Sequence, residues 1–407
     1  MIIPSIDLMD GKAVQLRQGK EKVLEKKNVL ELAKDFRKYG EIAVIDLDAA
    51  FGKGDNLKLI KRICRVAECR VGGGIRTAEK AGEILRAGAK KIIIGTKASP
   101  EFLSNLPREK IIVALDSKNG KVVNEGWTKK TEKTPLELMK ELEPYCSEFL
   151  YTNVDREGML GGINKAEISA LRNATKNSFT VAGGITTIDE IRELESLDAN
   201  SQLGMSIYAG KIKLREAFAG VLDFEKMNGL IPTVAQEENG QVLMVGFSSK
   251  ESVLKTLETG KATYYSRSKK ALWAKGEISG NYQELVKARF DCDRDALLYT
   301  VKQKNFACHT GKYSCFGEKE FSIDEIFGII MDRVENPGSG SYTSRISRQD
   351  DSIKGKIMEE AKELAEYRDK ENMVWEAADL VYFIMVLLAK NKVSLNEVRD
   401  ELWGRKK

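Results

Sequence analysis

The chain has 407 residues, of which 42% are hydrophobic, and carries 66 Lys and Arg against 61 Asp and Glu. This length predicts two to four domains with packed cores, and it argues against a disulfide framework for the six cysteines. The net charge of +5, without a basic run, favours phosphorylated small molecules as ligands and argues against nucleic acid.

The sequence carries no sign of export. Its N-terminal residues lack the basic start and the long apolar region of a signal peptide. The longest apolar run, residues 380–389, is too short to span a bilayer. We therefore expect a cytoplasmic protein that has no membrane partner and keeps its cysteines reduced.

An internal duplication runs through the first 220 residues. Residues 6–14 (IDLMDGKAV) match residues 115–123 (LDSKNGKVV), and residues 71–77 (VGGGIRT) match residues 181–187 (VAGGITT). The two offsets differ by a single residue, so chance is a weak explanation. Repeats of this kind indicate an architecture built from two similar halves.

Each half alternates strand and helix patterns four times. Apolar runs at residues 42–45, 91–94 and 111–115 predict buried parallel strands. Periodic patterns at residues 29–38 and 136–142 predict helices between them. Two halves of four units predict a (βα)₈ TIM barrel.

The active site of such a barrel lies at the C-terminal ends of its strands. Asp7 and Asp116 end the first and fifth strands, so they should face each other across that mouth. Glycine turns follow strands 3, 4, 7 and 8, where backbone N–H groups can approach a phosphate closely. Two such sites, related by the duplication, predict a substrate with a phosphate at each end. The phosphate-binding candidates are Gly73, Gly74, Gly95, Thr96, Gly183, Gly184, Gly204 and Met205.

Residues 1–220 resemble the ProFAR isomerases of histidine biosynthesis. The motifs at residues 6–11 (IDLMDG), 45–48 (IDLD), 126–127 (GW) and 204–205 (GM) carry the resemblance. It implies a cofactor-free Amadori rearrangement of an aminoaldose to an aminoketose. This chemistry needs a base at C2 and an acid at the ring oxygen, and Asp7 matches the family's base.

The acid position departs from the family pattern. The family motif Thr-Asp-x-x-x-Asp-Gly is replaced here by residues 152–158 (TNVDREG), so Thr152 is retained and Glu157 occupies the acid position. Glutamate is one methylene longer than aspartate. Either the geometry adjusts, or Asp116 shares the work, or the activity has drifted.

The segment from residue 291 to 315 packs together three carboxylates, three thiols and the single histidine. Asp291, Asp293 and Asp295 alternate, so a strand would present them on one face as oxygen ligands for Mg²⁺. Three thiols suit Zn²⁺ and leave its fourth position for a water that the metal activates. His309 lies beside one thiol and is a candidate for proton transfer. The thiols are those of Cys292, Cys308 and Cys315.

Residues 229–316 resemble the phosphoribosyl-AMP cyclohydrolases. The motifs at residues 229–232 (GLIP), 272–277 (LWAKGE) and 279–281 (SGN) contribute to the resemblance. It implies a zinc- and magnesium-dependent hydrolysis that opens an adenine ring between N1 and C6. Asn281 stands where many members carry histidine.

Paired acids on helices distinguish the last part of the chain. A glycine–serine stretch at residues 337–342 predicts a loop, and a helical pattern begins at residue 352. Three glutamates cluster on one helix flank, and two further acids lie three residues apart on a mostly apolar helix that we expect to be buried. Buried carboxylates need a partner, which a metal ion supplies. The predicted Mg²⁺ ligands are Glu359, Glu360, Glu363, Glu376 and Asp379.

Residues 321–407 resemble the phosphoribosyl-ATP pyrophosphohydrolases, which are all-α. The motifs at residues 341–345 (SYTSR), 356–361 (KIMEEA) and 376–380 (EAADL) carry the resemblance. It implies that Mg²⁺ activates a water against an α–β phosphate bond.

The three resemblances cover the chain and name consecutive steps of histidine biosynthesis. We expect a (βα)₈ barrel at residues 1–222, a small β-rich α+β domain at 223–319 and an all-α domain at 320–407. The predicted cofactors are Zn²⁺ and Mg²⁺, with no organic cofactor. Small cyclohydrolase and pyrophosphohydrolase domains usually need partners, so we expect a homodimer through the two C-terminal domains. The alternative is a bifunctional hydrolase whose barrel is a non-catalytic scaffold or regulatory domain.

Overall fold

Eight parallel strands close into a barrel in the first half of the computed structural model. The structure describes residues 1–17, 21–124, 126–127, 129–159 and 161–404. The strands of this half are β1 (Ile2–Met9), β2 (Lys12–Arg17), β3 (Glu21–Lys26), β4 (Ile42–Asp46), β5 (Cys69–Gly72), β6 (Lys91–Ile94), β7 (Ile111–Lys118), β8 (Lys121–Asn124), β9 (Lys129–Lys130), β10 (Glu148–Asn153), β11 (Ser178–Ala182) and β12 (Asn200–Leu203). Strands β1, β4, β5, β6, β7, β10, β11 and β12 form the barrel, which closes where β12 pairs with β1 and β7 with β10.

Helices connect the barrel strands and cover them from outside. They are α1 (Val29–Phe36), α2 (Leu47–Phe51), α3 (Leu57–Cys64), α4 (Ala78–Arg86), α5 (Pro100–Leu103), α6 (Pro135–Leu142), α7 (Lys165–Arg172), α8 (Ile188–Ser196), α9 (Met205–Tyr208) and α10 (Leu214–Val221). Each barrel strand that the sequence predicted is present. The helix predicted at residues 29–38 ends at Phe36 and continues as a 3₁₀ turn over Arg37–Tyr39. The predicted barrel is confirmed.

The internal duplication reappears in equivalent hydrogen bonds. The Asp48 carboxylate accepts the backbone N–H of Asp10 at 2.8 Å, and the Asp155 carboxylate accepts that of Asn119 at 2.7 Å. Asp10 and Asn119 occupy the same hairpin turn in each half, with φ of 50° and 49°. The two halves therefore share local geometry where their side chains differ.

Two layers of side chains fill the barrel interior. The layer nearest the mouth is apolar and includes Ile93, Leu150 and Ala182. At the N-terminal ends of the strands, the buried Arg70 guanidinium donates to Glu148 at 2.5 Å and to Glu41 at 2.6 Å. This ion network closes the bottom of the barrel, because buried charges persist only where they are paired and hydrogen-bonded.

A four-stranded sheet and one helix form the middle of the chain. Its elements are β13 (Ile231–Gln236), β14 (Val242–Ser248), α11 (Lys250–Thr259), β15 (Thr263–Ser266), β16 (Ala271–Ala274), β17 (Gln283–Phe290) and β18 (Leu297–Gln303). The sheet order is β14-β13-β18-β17, and β15 and β16 form a separate hairpin. This region belongs to one compact unit with the barrel, Met1–Glu318.

The second compact unit, Lys319–Lys407, contains helices and loops but no strand among its described residues. Its helices are α12 (Ile323–Glu335), α13 (Tyr342–Ile346), α14 (Asp350–Ala365), α15 (Lys370–Lys390) and α16 (Leu395–Gly404). Phe327, Ile330, Ile353 and Val386 belong to its core. The predicted loop before residue 342 is present, and the predicted order of barrel, β-rich domain and all-α domain is confirmed.

The prediction that the apolar part of α15 is buried is wrong for the single chain. Trp375 is 69% exposed, and Val374, Val381 and Ile384 are exposed as well. The helix is also long and apolar enough by composition to cross a membrane, which is weak evidence from one helix that carries Glu376 and Asp379. The reason for the wrong prediction is that the helices of this unit cover only one side of α15.

Candidate functional site

A cavity of about 260 Å³ opens at the C-terminal ends of the barrel strands. The three carboxylates that the sequence predicted, Asp7, Asp116 and Glu157, all line it, together with Thr152. Asp7 lies on β1 and Asp116 on β7, while Glu157 follows β10 in the loop that the family motif marked. The barrel therefore brings these candidate catalytic residues together.

Asp7 is held by two side chains of its own sheet. The Ser5 hydroxyl donates to Asp7 Oδ1 at 2.9 Å, and Gln15 Nε2 approaches Asp7 Oδ2 at 3.4 Å. Burial raises the pKa of Asp7 to about 6, although the Ser5 hydrogen bond lowers it. Such a carboxylate is ionised near neutral pH and is a stronger base than a solvated aspartate.

Asp116 has a partner that the sequence did not single out. Trp127 Nε1 donates to Asp116 Oδ2 at 2.9 Å from the loop between β8 and β9. Burial raises the pKa of Asp116, whereas hydrogen bonds from Trp127 and Thr152 lower it. Hydrogen bonds thus fix the position of the Asp116 carboxylate in the same cavity.

Glu157 lies against the glycine turn that follows the neighbouring strand β11. A Cβ placed on Gly183 would lie 2.7 Å from Glu157 Oε2, so the glutamate depends on glycine at that position. Burial, together with the negative charges of Asp7 and Asp116, raises the pKa of Glu157 to about 7. A glutamic acid with this pKa keeps its proton up to neutral pH and can donate it.

The glycine turns lie on the same rim. Gly73, Gly74, Gly95, Thr96, Gly183 and Gly204 line the cavity, whereas Gly184 and Met205 flank it without being among its lining residues. Gly73 and Gly183 have φ of 101° and 82°, conformations that L side chains rarely adopt. A Cβ on Gly73 would come within 2.1 Å of the Asp46 carbonyl oxygen, so this backbone approach requires glycine.

The mouth of the barrel can therefore bind anions at glycine turns and move protons between them. Near pH 6 to 7, Asp7 is largely ionised while Glu157 is largely protonated, since their pKa values are about 6 and about 7. A base and an acid in one cavity suit a proton transfer along a bound substrate without any cofactor.

The acidic segment of the middle region is a turn, which corrects the predicted strand. Strand β17 ends at Phe290, and β18 begins at Leu297. The backbone reverses between them, and the Asp291 carboxylate accepts the N–H groups of Asp295 and Ala296 at 3.1 Å. The strand prediction failed because this local hydrogen bonding stabilises a turn.

The turn still brings the three carboxylates together. One oxygen each from Asp291, Asp293 and Asp295 lies within 4.8 Å of the others, a spacing that fits a divalent cation. The Lys226 ammonium forms ion pairs with both Asp293 and Asp295. This contact lowers the pKa of Asp293 and raises that of Lys226.

Two of the three predicted thiol ligands are neighbours. The pKa of Cys308 is lowered chiefly by the Thr310 hydroxyl, whose oxygen lies 3.0 Å from Sγ, while burial and the charge of Cys308 raise the pKa of Cys315. Among the residues that the structure describes, the Cys292 thiol does not lie within 4.8 Å of both of the other thiols, as three ligands of one metal ion would. It is exposed in the acidic turn. A single chain therefore offers two thiols for one zinc ion and a third at a separate place.

The other predicted polar residues of this region lie around the thiol pair. His309 is exposed between Cys308 and Thr310. Asn281 is buried, and its Oδ1 accepts the Asn305 side-chain amide at 2.9 Å. Lys275, which the sequence reasoning did not assign, donates to the Ala307 carbonyl at 2.5 Å next to the thiols.

Three of the five acids in the helical unit converge. Carboxylate oxygens of Glu360, Glu363 and Glu376 lie within 4.8 Å of one another. Burial raises the pKa of Glu360, and the charge of Asp379 adds to it; for Glu363 burial and Glu376 act in the same direction. Mutual repulsion of this kind fits a site that a divalent cation neutralises. Glu359 instead forms an ion pair with Lys356 at 2.8 Å.

Comparison with known families now identifies the chain. The family model described as histidine biosynthesis protein matches residues 1–213, which is more than half of the chain. The chain belongs to the histidine biosynthesis protein family. The models for phosphoribosyl-AMP cyclohydrolase and phosphoribosyl-ATP pyrophosphohydrolase match residues 244–317 and 324–406 of the same chain. The chain is thus a multifunctional enzyme with isomerase, cyclohydrolase and pyrophosphohydrolase domains in that order.

Relatives match this histidine biosynthesis protein in separate pieces. The 1-(5-phosphoribosyl)-5-((5-phosphoribosylamino)methylideneamino) imidazole-4-carboxamide isomerase of Methanocaldococcus jannaschii is 43% identical over 230 residues, covering 53% of this chain and 97% of the relative. The histidine biosynthesis bifunctional protein HisIE of Pyrococcus furiosus is 44% identical and covers 46% of this chain and 96% of the relative. The histidine biosynthesis trifunctional protein of Saccharomyces cerevisiae is 37% identical over 47% of this chain and 24% of its own length.

Several site residues of the histidine biosynthesis protein escaped the sequence reasoning. Ser5, Gln15 and Trp127 touch the barrel carboxylates, and Lys226 touches the acidic turn. A glycine–tryptophan pair at residues 126–127 was part of the family resemblance, so Trp127 carried a usable signal. Lys226 carried none, because its partners lie more than sixty residues away in the sequence.

Proposed function

We propose that the chain catalyses three consecutive steps of histidine biosynthesis. The C-terminal domain, residues 320–407, hydrolyses phosphoribosyl-ATP to phosphoribosyl-AMP and pyrophosphate. The middle domain, residues 223–319, opens the adenine ring, and the barrel, residues 1–222, isomerises the resulting ProFAR. The observation that carries the proposal is the pair of carboxyl groups, Asp7 and Glu157, whose pKa values are about 6 and about 7 in one cavity flanked by glycine turns.

In the barrel, the glycine turns after β5 and β11 hold the two phosphates and fix the substrate between them. Glu157 donates a proton to the ring oxygen of the ribose, so that the ring opens. Asp7 removes the proton at C2, which converts the aminoaldose to an enol that becomes the aminoketose. Asp116 and Thr152 line the same cavity and position the substrate. The reaction is an isomerisation by proton transfer, so it needs no electron acceptor and no organic cofactor.

In the middle domain, the donor set fits zinc and magnesium. Cys308 and Cys315 form one half of a thiolate site, and Cys292 of a second subunit completes it. These thiolates would hold zinc, and a water on the bound metal would have the lowered pKa that a nucleophile needs. His309, adjacent to Cys308, shuttles a proton, and Asp291, Asp293 and Asp295 hold Mg²⁺ once Lys226 has moved away.

In the C-terminal domain, acids on α14 and α15 hold Mg²⁺ and orient a water toward the α–β phosphate bond. Glu360, Glu363 and Glu376 supply the converging oxygens, and Asp379 adjoins Glu360. Glu359 joins the site by exchanging its Lys356 partner for the metal. The family match of residues 324–406 supports phosphoribosyl-ATP as the substrate, with its triphosphate directed at these helices.

The partner is a second copy of this chain, joined through the two C-terminal domains. The exposed side chains of Val374, Val381 and Ile384 recur at helical spacing on α15. Exposed apolar faces of this kind are typical of protein interfaces. The dimer acts on phosphorylated small molecules in the cytoplasm, where six free cysteines stay reduced.

A direct assay of purified protein with ProFAR tests the central claim. We expect isomerised product without added metal or organic cofactor, and added chelator should leave this activity intact while stopping both hydrolytic steps. The rival hypothesis, a barrel that serves as a scaffold, requires no turnover of ProFAR at all. The raised pKa of Glu157 and its place in the cavity favour the isomerase.

A further inference from the structure

The middle domain is docked on the N-terminal end of the barrel. Glu68, which precedes β5, forms an ion pair with Lys287 of β17 at 2.6 Å. Helix α10 follows the last barrel strand and so returns to the N-terminal end, where its Phe218 packs against Phe290 with ring centroids 5.5 Å apart. Arg215 on the same helix pairs with Glu258 of α11 at 2.7 Å.

The acidic turn of the middle domain lies at this same end. The backbone N–H of Asp223, two residues after α10, donates to the Arg294 carbonyl at 2.9 Å. Arg294 sits between Asp293 and Asp295. The candidate magnesium site of the ring-opening domain is therefore tied to the bottom of the barrel.

The isomerase cavity opens at the opposite end. Asp7 lies in the last three residues of β1, and Asp116 lies in the same part of β7. The barrel strands have 4 to 8 residues, which corresponds to a wall of about 13–26 Å at 3.3 Å per residue, before the tilt of the strands shortens it. Within one chain, a molecule leaving one end must pass along the outside of this wall to reach the other.

The barrel interior offers no shortcut. Ile93, Leu150 and Ala182 belong to an apolar cluster of packed side chains that forms the floor of the cavity. Below them, the buried pair of Arg70 and Glu148 closes the N-terminal end. A phosphorylated intermediate, which carries charge at both ends, cannot cross an apolar layer and a buried ion pair.

We propose that the ring-opened product passes through bulk solvent between the cyclohydrolase and isomerase domains, despite their fusion in one compact unit. The inference rests on the proposed function of both domains. The fusion then fixes equal amounts of the two activities and joins the domains for stability, while each site faces solvent independently.

An isotope-dilution experiment tests this proposal with the full chain. Labelled phosphoribosyl-AMP is supplied together with an excess of unlabelled ring-opened product, and the label in the isomerised product is measured. Passage through solvent predicts that the label is diluted in proportion to the unlabelled pool. Label that stays undiluted would overturn the proposal.

A mixture of two inactivated chains provides the matched control. An Asp7→Asn chain keeps the ring-opening site, and a Cys308→Ser chain keeps the isomerase site. At matched concentrations of each working site, which requires twice the total chain in the mixture, the intact chain should show the same lag before isomerised product as an equal mixture of these variants. A shorter lag in the intact chain would contradict the inference. Failure of intact protein to convert supplied ring-opened product would instead refute the isomerase assignment, which is a separate outcome.

Discussion

Asp7 and Glu157 line one cavity at the barrel mouth, and the charge of Asp7 contributes to raising the pKa of Glu157 to about 7. Burial, opposed by the Ser5 hydrogen bond, raises the pKa of Asp7 less far, to about 6. The two carboxyl groups therefore hold different protonation states over the same pH range. This difference assigns the base role to Asp7 and the acid role to Glu157.

Replacing either carboxyl group should silence the isomerase. We expect Asp7→Asn and Glu157→Gln each to lower the turnover of ProFAR by about 10²–10⁴-fold, the usual cost of losing one partner in general acid–base catalysis. Substrate should still bind through the glycine turns, as calorimetry of the variants would show. Full activity of Glu157→Gln with loss of activity in Asp116→Asn would move the acid role to Asp116.

The pH profile of the isomerase should be bell-shaped. Asp7 must be ionised, so activity rises as the pH increases through about 6, and Glu157 must be protonated, so activity falls as it increases through about 7. The Ser5 hydrogen bond lowers the pKa of Asp7. Ser5→Ala should therefore move the acidic limb of the profile to higher pH and leave the alkaline limb in place. An acidic limb that does not move would show that Asp7 is not the group titrating there.

Complementation between two inactive variants should reveal a shared zinc site. Cys292→Ser and Cys308→Ser should each abolish ring opening and spare the other two reactions. Mixed dimers of the two variants should regain activity, because one of their two sites keeps all three thiols. Cys308→Ser mixed with Cys315→Ser should regain none, since both substitutions affect the same half-site. Equal behaviour of the two mixtures would argue against a ligand from the partner, and zinc content measured on each dimer provides an independent check.

Removal of one acid from the helical unit should stop pyrophosphate release. Asp379→Ala is expected to abolish hydrolysis of phosphoribosyl-ATP while ring opening of supplied phosphoribosyl-AMP continues. In Glu376→Gln the pKa of Glu363 should fall, because the Glu376 charge contributes to raising it. Calorimetry of Asp379→Ala and Glu376→Gln measures their Mg²⁺ affinity. The control is Glu371→Gln, which changes an exposed acid near the start of α15 and should leave that affinity unchanged. Undiminished pyrophosphate release in Asp379→Ala would refute the site.

A charge on the exposed face of α15 should weaken the dimer. Val381→Glu places an unpaired carboxylate in the expected interface and should raise the dissociation constant roughly 30-fold, the effect of losing about 2 kcal/mol. Analytical ultracentrifugation measures this change. Leu136→Glu, which alters an exposed apolar residue on the barrel helix α6, should leave the dissociation constant unchanged. A monomeric wild-type protein at all accessible concentrations would contradict the interface.

The sequence by itself determined the elements and their order. Apolar runs such as residues 91–94 and the matched glycine turns predicted the barrel, since strand burial and positive φ depend on local residue types. The repeated pattern also predicted that Asp7 and Asp116 meet at the mouth, because strand ends in a closed parallel barrel share one rim. The position of a residue could thus be predicted wherever the repeated strand–helix pattern of the fold determines it.

Only the tertiary structure decided which distant groups touch. The turn at residues 291–295 depends on hydrogen bonds to Asp291, and the Lys226 ion pairs depend on how the segment after α10 returns to that turn. The separation of Cys292 from Cys308 and Cys315, and the exposed face of α15, likewise follow from packing that no local pattern encodes. Contacts between residues far apart in sequence arise from the closing of the whole chain, and charge and burial at those contacts set the pKa values of Asp7 and Glu157.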